Sequence, residues 1–230
     1  PLPNDAPHLL ERLAAEQPGQ RIQTSVRQAL QRQTQALVNR YAREYSSNHI
    51  HNLAAIVADV ETGEVLAYAG NATYPADERR GNQVDIISSP RSTGSILKPF
   101  LYAGMLHDGL LLPSMLVSDV PLNINGFSPH NYNKTFYGAV PAHVAIERSL
   151  NVPLVRMLSQ YNTGRFMSLL KSWGMTTLRF SEEHYGASLI LGGAEGTLWD
   201  LSGMYASMSR VLKHYRTYNG RYNPADIHPL

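Results

Sequence analysis

Two short patterns in this 230-residue chain combine side chains that are suited to acyl-transfer chemistry. The first is Ser95-Ile-Leu-Lys98, which has the form S-x-x-K. Residues three apart lie on one face of a helix, so the hydroxyl and the amine can meet. A serine hydroxyl is a weak nucleophile until a base takes its proton, and a lysine can be that base when its amine is neutral. Burial and the positive end of a helix dipole both lower a lysine pKa towards that state.

The S-x-x-K pattern is weak by itself, because Ser168-Leu-Leu-Lys171 also matches it. Pro99 follows Lys98, and proline is readily accommodated only in the first turn of a helix. We therefore expect a helix to begin close to Ser95, which puts this hydroxyl at the positive end. Ser168 lies inside an amphipathic segment, where both polar residues are expected to face solvent. Taken alone, Ser95 is explained equally well as an N-cap residue.

The second pattern is Ser149-Leu-Asn151, of the form S-x-N, between one predicted helix and the next. The hydroxyl could pass a proton to a leaving group, and the amide could hold a substrate peptide bond with one donor and one acceptor. Ser46-Ser47-Asn48 fits the same pattern and is predicted to be a polar helix end. Taken alone, Ser149 and Asn151 could equally be capping residues.

The elements that must position these residues follow from hydrophobic periodicity. Residues 1 to about 48 are predicted to form amphipathic helices interrupted at Pro18-Gly19, with their apolar residues on one face. Leu53–Val60 and Val65–Ala69 predict a β-hairpin, with helices covering both sides because the strands are uniformly apolar. The remaining predictions are loops at 71–93 and 113–140, and helices at 95–106, 141–149, 152–160, 164–173 and 197–212, the last opened by a capping box at Thr197.

Composition excludes several classes of function. The net charge of +2 is scattered along the chain, so no nucleic-acid partner is predicted. The absence of cysteine removes disulfides, thiolate metal sites and a cysteine nucleophile. No apolar run reaches the ~18 residues of a membrane span. The nine histidines show no metal-site spacing, and no cofactor or metal is predicted.

Four segments together resemble class A penicillin-binding proteins. They are the nucleophile segment Arg91–Phe100, the Pro-x-Asn segment Phe127–Asn131, the S-x-N segment Gly138–Pro153 and the stretch from Leu191-Gly192-Gly193 to Tyr205-Ala206. Agreement in order and flanks over about Asp5–Leu212 is more specific than either short pattern, and the S-x-x-K motif is itself a known signature of this superfamily.

The resemblance implies an α/β chain with part of the penicillin-binding/serine β-lactamase-like fold. An antiparallel sheet, of which the first two strands are present, accompanies a large helical subdomain. Ser95 would attack the carbonyl between two D-alanines of a peptidoglycan stem peptide, with Lys98 as general base. Ser149 would relay the proton to the leaving D-alanine, and Asn151 would orient the substrate. An amine of a neighbouring peptidoglycan strand would then take the acyl group, and β-lactams would acylate Ser95.

The same resemblance implies a division into a helical lead-in at 1–50 and a partial transpeptidase domain at 51–230. The third family motif, Lys-Thr-Gly, is absent from the sequence. We therefore expect the chain to belong to a longer protein at the periplasmic face of the bacterial inner membrane. A glycosyltransferase domain and a C-terminal remainder would be its partners, and the chain alone would be impaired. A D,D-carboxypeptidase or β-lactamase-like hydrolase and a non-catalytic β-lactam-binding module stay open as alternatives.

Overall fold

The computed structural model describes residues 4–73, 78–124 and 126–230. Three predictions extend beyond this part of the chain: the lead-in at residues 1–3, the loop at 74–77 and the loop at 125. The described residues form two compact units, one running to Pro90 and resuming at Thr197–Leu230, the other spanning Arg91–Gly196. The division at residue 50 stays a prediction.

The elements follow one another with short strands between longer helices. The helices are α1 (Pro7–Glu16), α2 (Gln28–Glu44), α3 (Lys98–His107), α4 (Ala142–Glu147), α5 (Asn151–Tyr161), α6 (Thr163–Ser172), α7 (Glu182–Tyr185) and α8 (Leu198–His214). The strands are β1 (Ala55–Ala58), β2 (Val65–Ala69), β3 (Arg91–Ser92), β4 (Leu116–Asp119), β5 (Gly138–Pro141) and β6 (Glu195–Gly196). Short 3₁₀ helices lie at Tyr45–Asn48, Glu78–Arg80, Gly186–Leu191 and Pro224–Asp226.

The first unit is built on the predicted hairpin, which the structure confirms. β1 and β2 pair antiparallel, with Ile56 opposite Tyr68. The Asp59 carboxylate closes the turn by accepting the backbone N–H groups of Glu61 and Thr62, both at 2.9 Å. Helices α1 and α2 pack against β2, and α8 packs against β1.

The lead-in forms helices as predicted, but the predicted apolar face is only partly buried. Four of its residues are half-buried: Leu9, Leu13, Val26 and Leu30. Leu10, Leu37 and Tyr41 are exposed, while the polar Gln31 and Thr34 are buried. The burial of Gln31 has a specific cause. Its amide donates to the Tyr68 carbonyl at 2.9 Å and accepts the Tyr68 N–H at 2.7 Å. A side-chain amide thus satisfies the outer edge of β2, which would otherwise present unpaired backbone groups.

The start of α8 also agrees with the sequence. The Thr197 hydroxyl accepts the Asp200 N–H at 2.9 Å, as the capping box predicts. The helix ends at His214, two residues beyond the predicted Leu212. Its buried Arg210 donates to the backbone carbonyls of Val60, Asp226 and His228 and so ties the last residues to the hairpin turn.

The second unit is centred on α5, which is buried along most of its length. Helices α3 and α6, strand β4 and the 3₁₀ helix Gly186–Leu191 pack around it. At the closest approach, a Cβ on Gly104 of α3 would lie 2.7 Å from a Leu169 methyl carbon and 3.0 Å from the Tyr161 hydroxyl. A larger residue there would displace the ends of these two side chains, so glycine lets α3 pack closely on α5 and α6.

Two predictions for the second unit were wrong in part. The loop predicted at 113–140 contains β4 and β5, which pair antiparallel, with Val117 opposite Val140. The helix predicted from Ser95 begins instead at Lys98. Strands β3 and β6 and the short helix α7 were not predicted. β4 and β5 lie about twenty residues apart in the sequence, and β3 and β6 about a hundred. Strands of two to four residues with such distant partners are too short to show an alternating apolar pattern. No described helix has the length and hydropathy needed to cross a membrane.

The Gln31 amide gives a test of this fold. Gln31→Leu leaves both backbone groups of Tyr68 without a partner, and each buried unpaired group costs ~1–3 kcal/mol. We expect the free energy of unfolding to fall by about 2–6 kcal/mol in chemical denaturation. Gln33→Leu, on the exposed face of α2, is the control and should change stability by less than ~0.5 kcal/mol. Equal stability of the two variants would contradict the edge-pairing role.

Candidate active site

Ser95 lies on a tight turn between β3 and α3. Pairing of β3 with β6 holds the start of this turn, and the Thr93 N–H donates to the Ala194 carbonyl at 3.0 Å. The Lys98 N–H then donates to the Ser95 carbonyl at 3.1 Å, which closes the turn into the helix. Ser95 is exposed, whereas Leu97 and Lys98 are buried. Pro99 stands in the first turn of α3, as predicted.

Gly192 packs against the residues that begin this turn, Ser92 and Gly94. Its carbonyl accepts the Ser92 hydroxyl at 2.8 Å. A Cβ at this position would lie 2.7 Å from the Ser92 oxygen and 2.8 Å from the Gly94 nitrogen. The φ of +103° is also in the range that favours glycine. Only glycine therefore lets this segment contact the Ser95 turn.

Lys98 carries the central group of the site, a buried amine with three acceptors. The side chain is 1% exposed. Its Nζ donates to the Ser149 carbonyl at 2.8 Å, to Asn151 Oδ1 at 2.8 Å and to Ser149 Oγ at 3.1 Å. An ammonium has three N–H donors, so the charged form is fully hydrogen-bonded here. The neutral amine keeps two donors and can accept the Ser149 hydroxyl proton with its lone pair.

Burial changes the protonation of this amine. Because burial removes the water that would stabilise the charged form, the pKa of Lys98 falls from 10.5 to about 8. At neutral pH roughly a tenth of the molecules then hold an uncharged amine, compared with less than a thousandth at the ordinary lysine pKa. The amine is therefore available as a base, with a hydroxyl already bonded to it.

Ser149 ends helix α4 in a Schellman motif. The Leu150 N–H donates to the Ala145 carbonyl at 2.9 Å, and the Ser149 N–H donates to the Ile146 carbonyl at 3.0 Å. The residue in the left-handed position of this motif is usually glycine, but here it is Ser149, with a φ of +50°. Strain of this kind is retained only where surrounding contacts hold it. Here the backbone carbonyl and the hydroxyl of Ser149 both bind the Lys98 amine.

Asn151 is the first residue of α5, and both ends of its amide are engaged. Oδ1 accepts from Lys98, and Nδ2 donates to the His130 carbonyl at 2.8 Å. The Asn151 backbone N–H donates to Asn131 Oδ1 at 2.9 Å. Asn131 was not among the predicted site residues, although it belongs to the Pro-x-Asn segment of the family resemblance. A capping asparagine twenty residues from its helix has no local sequence signal.

The structure brings three of the four predicted residues into one hydrogen-bonded group. Within the described part of the chain the Ser95 hydroxyl makes no hydrogen bond, so its predicted contact with Lys98 is not a hydrogen bond here. The hydroxyl lies on the exposed turn that leads directly into Lys98.

The duplicate patterns have the structural positions that we predicted for them. The Ser168 hydroxyl donates to the Gly164 carbonyl one turn earlier in α6, and Lys171 is exposed. Ser46 and Ser47 lie in the 3₁₀ helix that ends α2 and donate to carbonyls of its last turn. Across the described ranges no group of three His, Asp or Glu residues is placed to hold a metal ion.

Comparison with known proteins gives one family. The penicillin binding protein transpeptidase domain matches residues 53–197. The chain is 32% identical over 225 residues to penicillin-binding protein 1C of Escherichia coli, which covers 98% of this chain and 28% of that protein. It is 26% identical over 162 residues to penicillin-binding protein 1B of Vibrio cholerae, which covers 68% of this chain and 20% of that protein.

The fold has solved counterparts. The structure of PonA1 from Mycobacterium tuberculosis in complex with penicillin V superposes with a TM-score of 0.63 at 19% identity, covering 88% of this chain and 56% of that one. At this identity the likeness concerns the fold.

The chain spans 28% of the length of the Escherichia coli relative and 20% of the length of the Vibrio cholerae relative.

The left-handed backbone of Ser149 gives a second test. Ser149→Ala and Ser149→Gly both remove the hydroxyl, but only glycine relieves the positive φ. We expect the glycine variant to be the more stable by about 1 kcal/mol in chemical denaturation. The same pair at Ser168, inside α6, should show the opposite order by a similar amount, because glycine weakens a helix interior. An alanine variant at 149 as stable as the glycine variant would contradict the strained geometry.

Proposed function

The chain belongs to the penicillin-binding protein transpeptidase family, and we propose that it supplies the acylation centre of a peptidoglycan D,D-transpeptidase. Ser95 is the nucleophile, Lys98 its general base, Ser149 the proton relay and Asn151 a substrate-orienting amide. The observation that carries this assignment is the buried Lys98 amine, held by Ser149 and Asn151 at the base of the turn that exposes Ser95.

The first half of the reaction forms an ester on Ser95. The neutral Lys98 amine takes the proton of the Ser95 hydroxyl while Ser95 Oγ attacks the carbonyl between the two D-alanines. Collapse of the tetrahedral intermediate breaks the C–N bond, and the terminal D-alanine leaves as an amine. The Ser149 hydroxyl gives that amine its proton and regains one from Lys98 across the 3.1 Å bond between them. The base is then neutral again, and the second half repeats these steps in reverse with an acceptor amine.

Among the described residues, Asn151 keeps one N–H donor that binds no other group and could bind substrate. Its Nδ2 uses one hydrogen for the His130 carbonyl, and a primary amide carries two. We assign the second hydrogen to a carbonyl of the stem peptide. Because Oδ1 is held by Lys98 at 2.8 Å, binding substrate through Nδ2 also orients the base.

The proposal extends to the setting of the domain. Peptidoglycan stem peptides are the substrates, β-lactams are acylating inhibitors, and the site works on the periplasmic side of the bacterial inner membrane. A glycosyltransferase domain and a strand bearing Lys-Thr-Gly complete the protein. The resemblance implies that this strand supplies half of the oxyanion hole, and the loss of one oxyanion donor lowers a rate ~10²–10³-fold. The isolated chain is therefore an impaired enzyme.

Covalent labelling tests the nucleophile and the base. In the full-length protein, fluorescent penicillin should label Ser95, and Ser95→Ala should abolish the label. Lys98→Ala should slow labelling by about 10²–10⁴-fold, the usual contribution of a general base. The matched controls are Ser168→Ala and Lys171→Ala, in the second S-x-x-K pattern, which should label at the unaltered rate. Label that persists in Ser95→Ala would remove Ser95 from the role.

Product analysis distinguishes the transfer reaction from hydrolysis. With a D-alanyl-D-alanine peptide and an acceptor amine, we expect a new amide product in addition to released D-alanine. Release of D-alanine without any amide product would make the domain a carboxypeptidase. Labelling without turnover in the full-length protein would make it a β-lactam-binding module.

The lowered pKa of Lys98 predicts the pH dependence of acylation. Only the neutral amine is a base, so the rate should rise about tenfold per pH unit at acidic pH and level off above about 8. Stopped-flow acylation by a β-lactam with no titrating group in this range measures the profile. A profile that is flat from pH 6 to 9, or one that falls as pH rises, would contradict a lysine base.

A further inference from the structure

We propose that Asp119 and Asn131 form a positioning pair that sets the first turn of α5 and thereby holds Asn151 against the Lys98 amine. The inference rests on the proposed acylation at Ser95. It gives a role to two buried residues outside the four catalytic candidates, 0% and 2% exposed.

The Asn131 amide has one possible orientation. Its Oδ1 accepts the N–H groups of Asn151 and Val152 at 2.9 and 3.2 Å. These are two of the N–H groups that a helix start leaves unpaired. Its Nδ2 donates to both Asp119 carboxylate oxygens, at 2.9 and 3.0 Å, and to the Thr135 carbonyl at 2.9 Å. A flipped amide would set oxygen against three acceptors and hydrogen against two donors, which the network excludes.

Asp119 supplies a buried negative charge behind this amide. It is the last residue of β4, and its carboxylate also accepts the Tyr137 N–H at 3.0 Å. Within the described residues no Lys, Arg or His lies at salt-bridge distance from it, so neutral donors alone stabilise the charge. Burying a carboxylate is costly, and a simple cap on α5 needs only the Asn131 oxygen. What the charge adds is a stronger hydrogen bond that locks the amide in place.

The pair acts on the catalytic group through Asn151. The His130 carbonyl binds the Asn151 side chain, and the next residue, Asn131, binds the Asn151 backbone. Two consecutive residues thus clamp Asn151 from both sides, and the remaining atom of its amide faces Lys98 Nζ at 2.8 Å. A shift in the first turn of α5 would therefore move Oδ1 away from the amine. Misplacement of a reacting group by ~1 Å can lower a rate about a hundredfold.

Asp119→Asn in the full-length protein tests the pair. We expect the acylation rate per labelled site to fall about tenfold to a hundredfold, with little change in the dissociation constant of the β-lactam before acylation. The midpoint of the pH–rate profile should also rise above about 8, because a loosened site admits water to the amine. A merely structural role would lower the number of labelled sites and leave the rate and the midpoint of the remaining sites unchanged.

Two further variants complete the design. Tyr161→Phe removes a 2.7 Å hydrogen bond to the Asp108 carboxylate at the other end of α5, ~15 Å along the helix. It should leave the rate per labelled site unaltered. The double variant Asp119→Asn with Asn131→Asp exchanges carboxylate and amide, restores a charge-assisted bond and should recover part of the rate. The single Asn131→Asp places two carboxylates together and should be the most impaired.

Backbone hydrogen exchange gives a readout that does not depend on activity. The amides of Asn151 and Val152 should lose protection in Asp119→Asn and keep it in Tyr161→Phe. Unchanged exchange at these amides, an unaltered rate per site or an equal rate loss in Tyr161→Phe would each overturn the positioning role. If the unsubstituted protein fails to label at Ser95, the proposed function fails, while the exchange measurement still decides whether Asp119 holds the start of α5.

Discussion

The site depends on one constraint: the amine of Lys98 is buried and must find three partners without leaving the interior. The first residue of α3 carries this amine, and its acceptors belong to Ser149, between α4 and α5, and to Asn151, the first residue of α5. An unpaired buried ammonium would cost more than most domains can supply. These hydrogen bonds therefore hold the start of α3 against the α4–α5 connection. The packing of the second unit places the two segments next to each other.

The acceptors are themselves held under strain or by further hydrogen bonds. Ser149 adopts a left-handed backbone that its side chain does not favour, and this conformation lets one residue offer a carbonyl and a hydroxyl to the same amine. Asn151 offers its amide oxygen because its other contacts, to His130 and Asn131, fix the side chain and the backbone. An amine with a lowered pKa, a bonded hydroxyl and an oriented amide form a preorganised arrangement, and the proposed acylation would require little rearrangement of it.

Sequence and structure agree best where the signal is local. The hairpin of β1 and β2, the cap at Thr197 and the helices α4, α5 and α6 were all predicted, because alternation, capping and helical periodicity act over a few residues. They disagree where a partner far along the chain decides. Gln31 is buried because Tyr68 needs an edge partner, and β4 is a strand because β5 lies beside it. The spacing of apolar residues in the lead-in does not show that Gln31 is buried, or that Leu10 and Leu37 are exposed.

For the site, the residue types and the family are readable from the sequence. The sequence also favours Ser95 over Ser168 as the predicted nucleophile, because Pro99 requires a helix start beside one pattern and not the other. Which of these groups touch depends on the packing of distant segments. The tertiary structure placed Lys98 on Ser149 and Asn151 and left the Ser95 hydroxyl without a hydrogen-bond partner in the described residues. It also added Asn131 and Asp119, which stand twelve residues apart in the chain and meet through the side-chain amide. The physical reason is that hydrogen bonds between distant segments depend on how those segments pack, and packing is a property of the whole unit.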